Sequence, residues 1–151
     1  VKRDTFSLIE VVKRSCQIKA GIVEIDEKEG SVRAFLNYGH TFGHAIEALT
    51  DYGQWKHGEA VAIGMVVAAK IAQSQGLCSS EDVTKIVELL QLFNLPVSPP
   101  DFALTDYVVA MLRDKKVNDG TLTLILNQGI GSVIAKKIPN VESVFTPILN
   151  P

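Results

Sequence analysis

Apolar side chains recur at intervals of three and four positions through most of this chain, the spacing that places them on one face of an α-helix. The pattern predicts helices over residues 5–20 or slightly beyond, 31–49, 57–75, 80–93, 104–112 and 141–149. The third of these is small and apolar on almost all sides from Glu59 to Ala69, and Gly76 follows as its cap. A helix without a polar face belongs in the middle of a bundle.

The periodicity changes near the C-terminus. Residues 121–126 and 132–136 are rich in β-branched and aliphatic side chains, and the residues between them contain two glycines. Two such runs separated by a short glycine-containing turn predict a β-hairpin. The predicted fold class is therefore mainly α, a multi-helix bundle with a small β-hairpin near the C-terminus.

Composition sets limits on size and partners. The chain has 151 residues, of which 46% are hydrophobic, so it can bury one sizeable core and residues 1–151 are predicted to form a single domain. The formal net charge is −2, with both signs interspersed, which argues against a nucleic-acid-binding surface. The longest apolar run, Ala60 to Ala69, is too short to cross a bilayer.

The start of the chain bears on localisation and completeness. Residues 1–10 mix charged side chains with helical patterning and do not resemble a signal peptide, so we expect a cytoplasmic protein. Cys16 and Cys78 lie in no metal or redox motif and predict buried, reduced thiols. The first residue is valine rather than methionine, which suggests a piece of a longer protein.

The candidate chemistry is concentrated in residues 33–60, which contain all three histidines of the chain. His40 and His44 are four positions apart, so they lie one turn apart on one face of the predicted helix. Gly39 and Gly43 repeat the same spacing on an adjacent face. Glycine destabilises a helix by roughly 1 kcal/mol relative to alanine, so two of them suggest the close approach of another helix or a ligand.

Three interpretations of the histidines remain open from spacing alone. They can be hydrogen-bonded polar residues near a helical core. All three can bind one metal ion, with His57 closing the site from the start of the next helix. Alternatively, two bind the metal with a carboxylate from elsewhere while the third acts as an acid or base. Spacing favours the three-histidine site without excluding the others.

Several cations could complete an anion-binding site. Arg33 and Asn37 are one turn apart, and the histidines continue along the same general side of the predicted helix. An arginine there could bind a carboxylate or phosphate through two parallel hydrogen bonds. Lys19 and the pair Lys115-Lys116 are further candidates. Taken singly, Arg33 is equally compatible with a surface side chain, and each lysine fits a solvated surface side chain better than a binding group.

Three motifs resemble the 3-dehydroquinate synthase family: LNYGHTFGHAIE at 36–47, HGEAVAIGM at 57–65 and DKK at 114–116. The resemblance runs along most of the chain. It implies that the chain is the helical C-terminal domain of such an enzyme, and that an N-terminal α/β domain that binds NAD is absent from it.

The resemblance also implies roles for individual residues. It assigns the metal, Zn²⁺ or Co²⁺, to His40 and His57, with the third ligand a glutamate upstream of this chain. It makes His44 a catalytic acid/base or substrate-contacting group and Glu29 a proton acceptor. The substrate-binding positions are Lys19, Arg33, Asn37 and Lys116, with Lys116 preferred over Lys115.

The implied reaction converts 3-deoxy-D-arabino-heptulosonate 7-phosphate to 3-dehydroquinate and phosphate in the shikimate pathway of aromatic amino-acid biosynthesis. NAD is used and regenerated in each turnover. The implied partners are this small sugar phosphate and a second copy of the enzyme in a homodimer, with no nucleic acid and no membrane.

Three alternatives share many of these residues. Another sugar-phosphate cyclase would act on a different sugar phosphate. A metal-dependent polyol dehydrogenase of the glycerol type would release NADH as a product. A non-catalytic helical module would bind a structural metal, but it would not need the cations at positions 19, 33 and 116.

Overall fold

The computed structural model describes residues 4–26, 32–114 and 121–149. Its fold is mainly α with one two-stranded antiparallel hairpin near the C-terminus, which confirms the predicted class. The chain divides into two compact units, Val1–Asn37 and Tyr38–Pro151.

The first unit contains helix α1 (Thr5–Ile25) and a short 3₁₀ helix (Val32–Asn37). Asp4 caps α1, because its carboxylate accepts a hydrogen bond from the backbone N–H of Ser7 at 2.9 Å. No residue of α1 is buried, and Cys16 is exposed. The predicted burial of Cys16 is therefore wrong, since α1 is exposed along most of its length; Cys78 is only partly buried.

The predicted helix over residues 31–49 is also wrong in its first half. The backbone turns at Tyr38 and Gly39, and Gly39 adopts a left-handed φ of 81° that a continuous helix cannot contain. A new helix begins at His40. Arg33 and His44 therefore do not lie on one continuous helical face, contrary to the prediction.

The second unit is the helical bundle with the hairpin. Its elements are α2 (His40–Leu49), α3 (His57–Ser74), α4 (Ser80–Leu92), α5 (Leu104–Asp114), β1 (Leu122–Asn127), β2 (Val133–Ile138) and α6 (Val141–Leu149). These bounds agree with the predicted elements to within two residues, apart from the start of α2. The strands pair in register from Leu122 opposite Ile138 to Asn127 opposite Val133.

Helix α3 is the centre of this unit, as its composition predicts. It packs against α2, α4, α6 and β1, and most of its apolar side chains are buried. The ring of Phe42 on α2 stacks on Tyr107 of α5 at 4.6 Å and on Phe145 of α6 at 5.8 Å, centroid to centroid. These rings hold α2 against α5 and α6, and so support the helix that begins with His40.

Among the described residues, no helix is both long enough and apolar enough to cross a membrane.

Candidate metal centre

Glycines bring α2 and α3 together backbone to backbone. A Cβ atom added to Gly43 would lie 3.1 Å from the Cα of Val61, and one added to Gly64 would overlap the carbonyl oxygen of Gly39. Larger side chains at these positions would hold the helices apart. The close approach that the Gly39/Gly43 spacing suggested is therefore present, although Gly39 lies just before α2 rather than inside it.

This packing gathers the three histidines. His40 is the first residue of α2 and His57 the first of α3, and their ring centroids are 5.2 Å apart. His44 lies 5.6 Å from His40 and 5.8 Å from His57, again between centroids. Two imidazoles bound to one tetrahedral zinc ion at the usual zinc–nitrogen distance have centroids roughly 5 Å apart. The three rings therefore fit a shared divalent metal ion.

Hydrogen bonds orient two of the rings. The Nδ1 atom of His40 lies 3.3 Å from the carbonyl oxygen of Tyr38, and that of His57 lies 3.1 Å from Oε1 of Glu47. A carbonyl or carboxylate oxygen can only accept, so Nδ1 carries the proton in both rings. The lone pair is then on Nε2, which leaves Nε2 of each ring as the nitrogen able to bind a metal.

Electrostatics keep His40 in the form that a metal requires. Burial lowers the pKa of His40, and the nearby imidazoles of His57 and His44 lower it further when they are charged. The hydrogen bond to Tyr38 and the carboxylate of Glu47 act in the opposite direction, but the net pKa is below the ordinary value. His40 is therefore neutral at neutral pH, as a metal ligand must be.

Besides lying near the other two imidazoles, His44 lines a groove. It is half-buried and stands at the edge of a groove of about 600 Å³ between α2 and α5. The side chains of Tyr52, Asp106 and Arg113 also line this groove. Its size is that of a small-molecule site, so His44 can contact a bound ligand as well as a metal.

A different donor set overlaps the same centre. One potential ligand atom from each of His44, Glu47 and His57 lies within 4.8 Å of the other two. His57 belongs both to this set and to the pair with His40. The geometry alone thus permits two alternative sites. One consists of His44, Glu47 and His57, and the other consists of His40 and His57 with a third ligand from outside the described residues.

The other predicted site residues belong to the first unit or lie outside the described residues. Lys19 is exposed on α1. Arg33 and Asn37 lie in the 3₁₀ helix, where the backbone N–H of Arg33 donates to Asp26 Oδ2 at 3.1 Å. Glu29 and Lys116, like Lys115, are not among the described residues. Of the predicted site residues that the structure describes, the three histidines are the ones brought together in the second unit.

Sequence reasoning missed Glu47. This carboxylate lies three residues after His44 on α2, and its side chain is only 12% exposed beside His57. Its spacing from His44 was a usable signal, because residues three apart share a helix face. The contact with His57 could not be read from sequence, since it depends on how α2 packs against α3.

Sequence comparisons identify relatives of high similarity. A family model described as 3-dehydroquinate synthase C-terminal matches residues 1–117. The 3-dehydroquinate synthase of Syntrophotalea carbinolica is 55% identical over 148 residues, which cover 98% of this chain and 41% of that protein. That of Acinetobacter baumannii is 49% identical over 149 residues, covering 99% and 41%. The chain thus spans about 40% of the length of these relatives.

Solved structures share the fold. ValA, a 2-epi-5-epi-valiolone synthase from Streptomyces hygroscopicus with NAD⁺ and Zn²⁺ bound, superposes with a TM-score of 0.79 at 23% identity over 93% of this chain and 39% of its own. A 2-deoxy-scyllo-inosose synthase complexed with carbaglucose-6-phosphate, NAD⁺ and Co²⁺ gives 0.67 at 28% identity, over 78% and 35%.

The family model covers more than three quarters of the chain, and the named relatives are about half identical along almost all of it. The matched residues 1–117 include the three histidines gathered near the starts of α2 and α3. The chain therefore belongs to the family of 3-dehydroquinate synthase C-terminal domains.

Proposed function

We propose that this chain is the metal- and substrate-binding domain of a 3-dehydroquinate synthase, which converts 3-deoxy-D-arabino-heptulosonate 7-phosphate to 3-dehydroquinate and phosphate. The observation that carries the proposal is the cluster of three imidazoles, 5.2 to 5.8 Å apart, in a chain about half identical to proteins of that name. A carbon–oxygen lyase of this kind would act in the shikimate pathway.

The complete enzyme would also contain an NAD-binding α/β domain before these residues. We call the 151 residues joined to that domain the two-domain protein. The family resemblance supports a homodimer, and we expect the enzyme to act in the cytoplasm.

His40 and His57 would hold the metal through their Nε2 atoms, together with a glutamate of the preceding region. The hydrogen bonds at their Nδ1 atoms support this choice, because they leave Nε2 available in both rings. A zinc or cobalt ion held there would supply Lewis-acid polarisation of a carbonyl group of the substrate, and NAD would supply the acceptor and donor of a hydride at that carbon.

The remaining residues would bind the substrate and move its protons. Arg33 and Lys116 would bind its carboxylate, and the planar guanidinium of Arg33 suits that group through two parallel hydrogen bonds. Lys19, Asn37 and His44 would position the hydroxyl and phosphate groups. His44 would transfer protons near neutral pH, with Glu29 as a further proton acceptor.

The choice of substrate is tested by comparing phosphate release from two sugar phosphates. Glucose 6-phosphate is the matched alternative, because its carbocyclic analogue is bound in the 2-deoxy-scyllo-inosose synthase structure. We expect the two-domain protein to release phosphate from the heptulosonate phosphate and not from glucose 6-phosphate. A preference for glucose 6-phosphate would overturn the choice of substrate and leave a sugar-phosphate cyclase.

Arg33→Ala tests whether the domain binds an anionic substrate at all. Loss of a charge-assisted, two-point contact should lower kcat/KM by about 10- to 100-fold. Arg14→Ala removes an exposed arginine of α1 and is the matched control. A structural metal-binding module would keep its fold and its metal in both variants and would have no substrate affinity to lose.

A further inference from the structure

Glu47 is the carboxylate of the site that the proposed function does not use. It lies on α2, three residues after His44, with its side chain 12% exposed. Both of its oxygens face the same nitrogen, since Oε1 is 3.1 Å and Oε2 is 3.3 Å from Nδ1 of His57. A nearly buried carboxylate needs a partner, and among the side chains that the structure describes His57 is the partner of Glu47.

His57 in turn needs a partner to hold its orientation. It is the first residue of α3, and its side chain is 56% exposed. An exposed imidazole at a helix terminus can rotate about two side-chain bonds and can carry its proton on either nitrogen. The carboxylate of Glu47 removes both freedoms, because it accepts a hydrogen bond only when Nδ1 carries the proton and points towards α2.

The two histidines proposed as ligands share this feature. His40 directs its Nδ1 to the carbonyl oxygen of Tyr38, and His57 directs its Nδ1 to Glu47. In both cases an oxygen acceptor lies on one side of the ring and the free nitrogen on the other. This is the arrangement in which metal-binding histidines are held in other proteins.

We propose that Glu47 is a positioning residue of the metal centre, holding His57 in the tautomer and orientation that present Nε2 to a divalent cation. The inference rests on the proposed function, in which His40 and His57 bind the metal. Its rival is direct coordination, in which Glu47, His44 and His57 themselves form the donor set. If Glu47 only positions His57, the metal lies on Nε2 of His57 and Glu47 is not a ligand. In the rival arrangement Glu47 is itself a ligand, or the metal lies on Nδ1 of His57. The two can therefore be distinguished.

Two substitutions at position 47 separate a positioning residue from a ligand. In Glu47→Gln the amide oxygen can still accept the hydrogen bond from Nδ1, but an amide is a poor ligand for zinc or cobalt. Glu47→Ala removes the acceptor altogether. Glu88→Gln removes an exposed carboxylate from α4 and serves as the control for loss of charge.

The measurement is the affinity of the two-domain protein for Co²⁺, followed by the visible absorption of the bound ion. Losing an outer hydrogen-bond partner lowers metal affinity by about 10- to 100-fold, so we expect a loss in that range for Glu47→Ala. Glu47→Gln should lose less than about 10-fold and keep the wild-type absorption spectrum. Circular dichroism checks that each variant is folded. If Glu47→Ala does not fold, the isosteric Glu47→Gln variant still distinguishes a positioning residue from a ligand.

Ring nitrogen spectra of the zinc-loaded protein provide an independent readout. We expect the metal on Nε2 and a proton on Nδ1 of His57, with the His57 signal identified by its absence in His57→Ala. Metal on Nδ1, or equal losses with altered spectra in both Glu47 variants, would make Glu47 a direct ligand and overturn the proposal. Unchanged affinity in both variants would overturn it as well.

These outcomes are separate from failure of the proposed function. If His57→Ala bound Co²⁺ as tightly as wild type, the metal assignment itself would be wrong, and the role of Glu47 would be overturned with it. If wild type bound Co²⁺, His57→Ala did not and the Glu47 variants behaved like Glu88→Gln, only the role of Glu47 would be lost.

Discussion

Gly64 on α3 lies directly against the carbonyl group of Gly39, so close that a Cβ on Gly64 would overlap the carbonyl oxygen and lie 2.9 Å from its carbon. Gly39 is the residue whose left-handed backbone ends the preceding turn and allows α2 to begin at His40. The contact therefore sets the distance between the helix that starts with His40 and the helix that starts with His57.

Gly64→Ala should destabilise the second unit by about 3 kcal/mol, since the added methyl group meets backbone atoms that cannot turn aside. Urea unfolding measures the change. Gly21→Ala is the matched control, because Gly21 is also helical but a Cβ added to it would meet no atom within 4 Å. The control should be neutral or up to about 1 kcal/mol more stable. Equal effects of the two substitutions would contradict the close contact.

The buried hydroxyl of Tyr107 should make the free energy of unfolding depend on pH in the alkaline range. Burial, and to a smaller degree the charge of Asp101, raise the pKa of Tyr107, whose hydroxyl donates to the carbonyl oxygen of Pro100 at 2.6 Å. Above pH of about 10 the unfolded chain loses this phenolic proton while the folded chain keeps it. The free energy of unfolding should therefore fall as the pH rises through that value.

Tyr107→Phe isolates this contribution. The variant should be less stable by about 1 kcal/mol at neutral pH, because the Pro100 carbonyl loses one of its two donors and keeps only the backbone N–H of Phe102. Its free energy of unfolding should then decline less steeply than that of wild type above pH of about 10. Parallel declines for the two proteins would show that Tyr107 ionises as readily in the folded chain as in the unfolded chain.

Substitution of each histidine tests which of them bind the metal. In the two-domain protein, His40→Ala and His57→Ala should each lower Co²⁺ affinity by more than about 100-fold, since loss of a ligand exceeds loss of an outer partner. His44→Ala should keep most of the affinity and lose about 10²- to 10⁴-fold in kcat, the usual contribution of an acid or base. An equally large loss of affinity in His44→Ala would restore the three-histidine site that spacing favours.

The 151 residues alone should fold but should not turn over. The core around α3 is formed by side chains of the second unit, so cooperative unfolding in urea is expected. Without the NAD-binding domain and the third metal ligand, Co²⁺ should bind more weakly than to the two-domain protein. Phosphate release by the isolated chain above the background of a His57→Ala control would contradict this prediction.

Much of the fold could be predicted because the deciding signals are local. The run of small apolar residues from Ala60 to Ala69 identifies α3 as the central helix from its composition alone. The start of α2 could not be predicted in this way. Whether a glycine continues a helix or ends it depends here on the packing of Gly39 against Val61 and Met65, and that contact is between residues distant in sequence.

In the candidate site, too, local spacing could be predicted and contacts between helices could not. The spacing of His40 and His44 predicts two adjacent imidazoles, with His57 as the candidate third, and the structure places the His57 ring beside the other two. The partner of His57 was missed because the Glu47 contact crosses from α2 to α3. The cations at positions 19, 33 and 116 were candidates from their charge and position, and the resemblance gave them substrate-binding roles. Those roles stay predictions.

The most direct test of the proposed function follows phosphate and NADH together. The two-domain protein is given the heptulosonate phosphate, zinc and NAD in an amount far below that of substrate. We expect many phosphates released per NAD, with no lasting rise in NADH absorbance, because a hydride taken from the substrate is returned in the same turnover. NADH produced from glycerol or another polyol, without phosphate release, would contradict the proposed function and identify a polyol dehydrogenase.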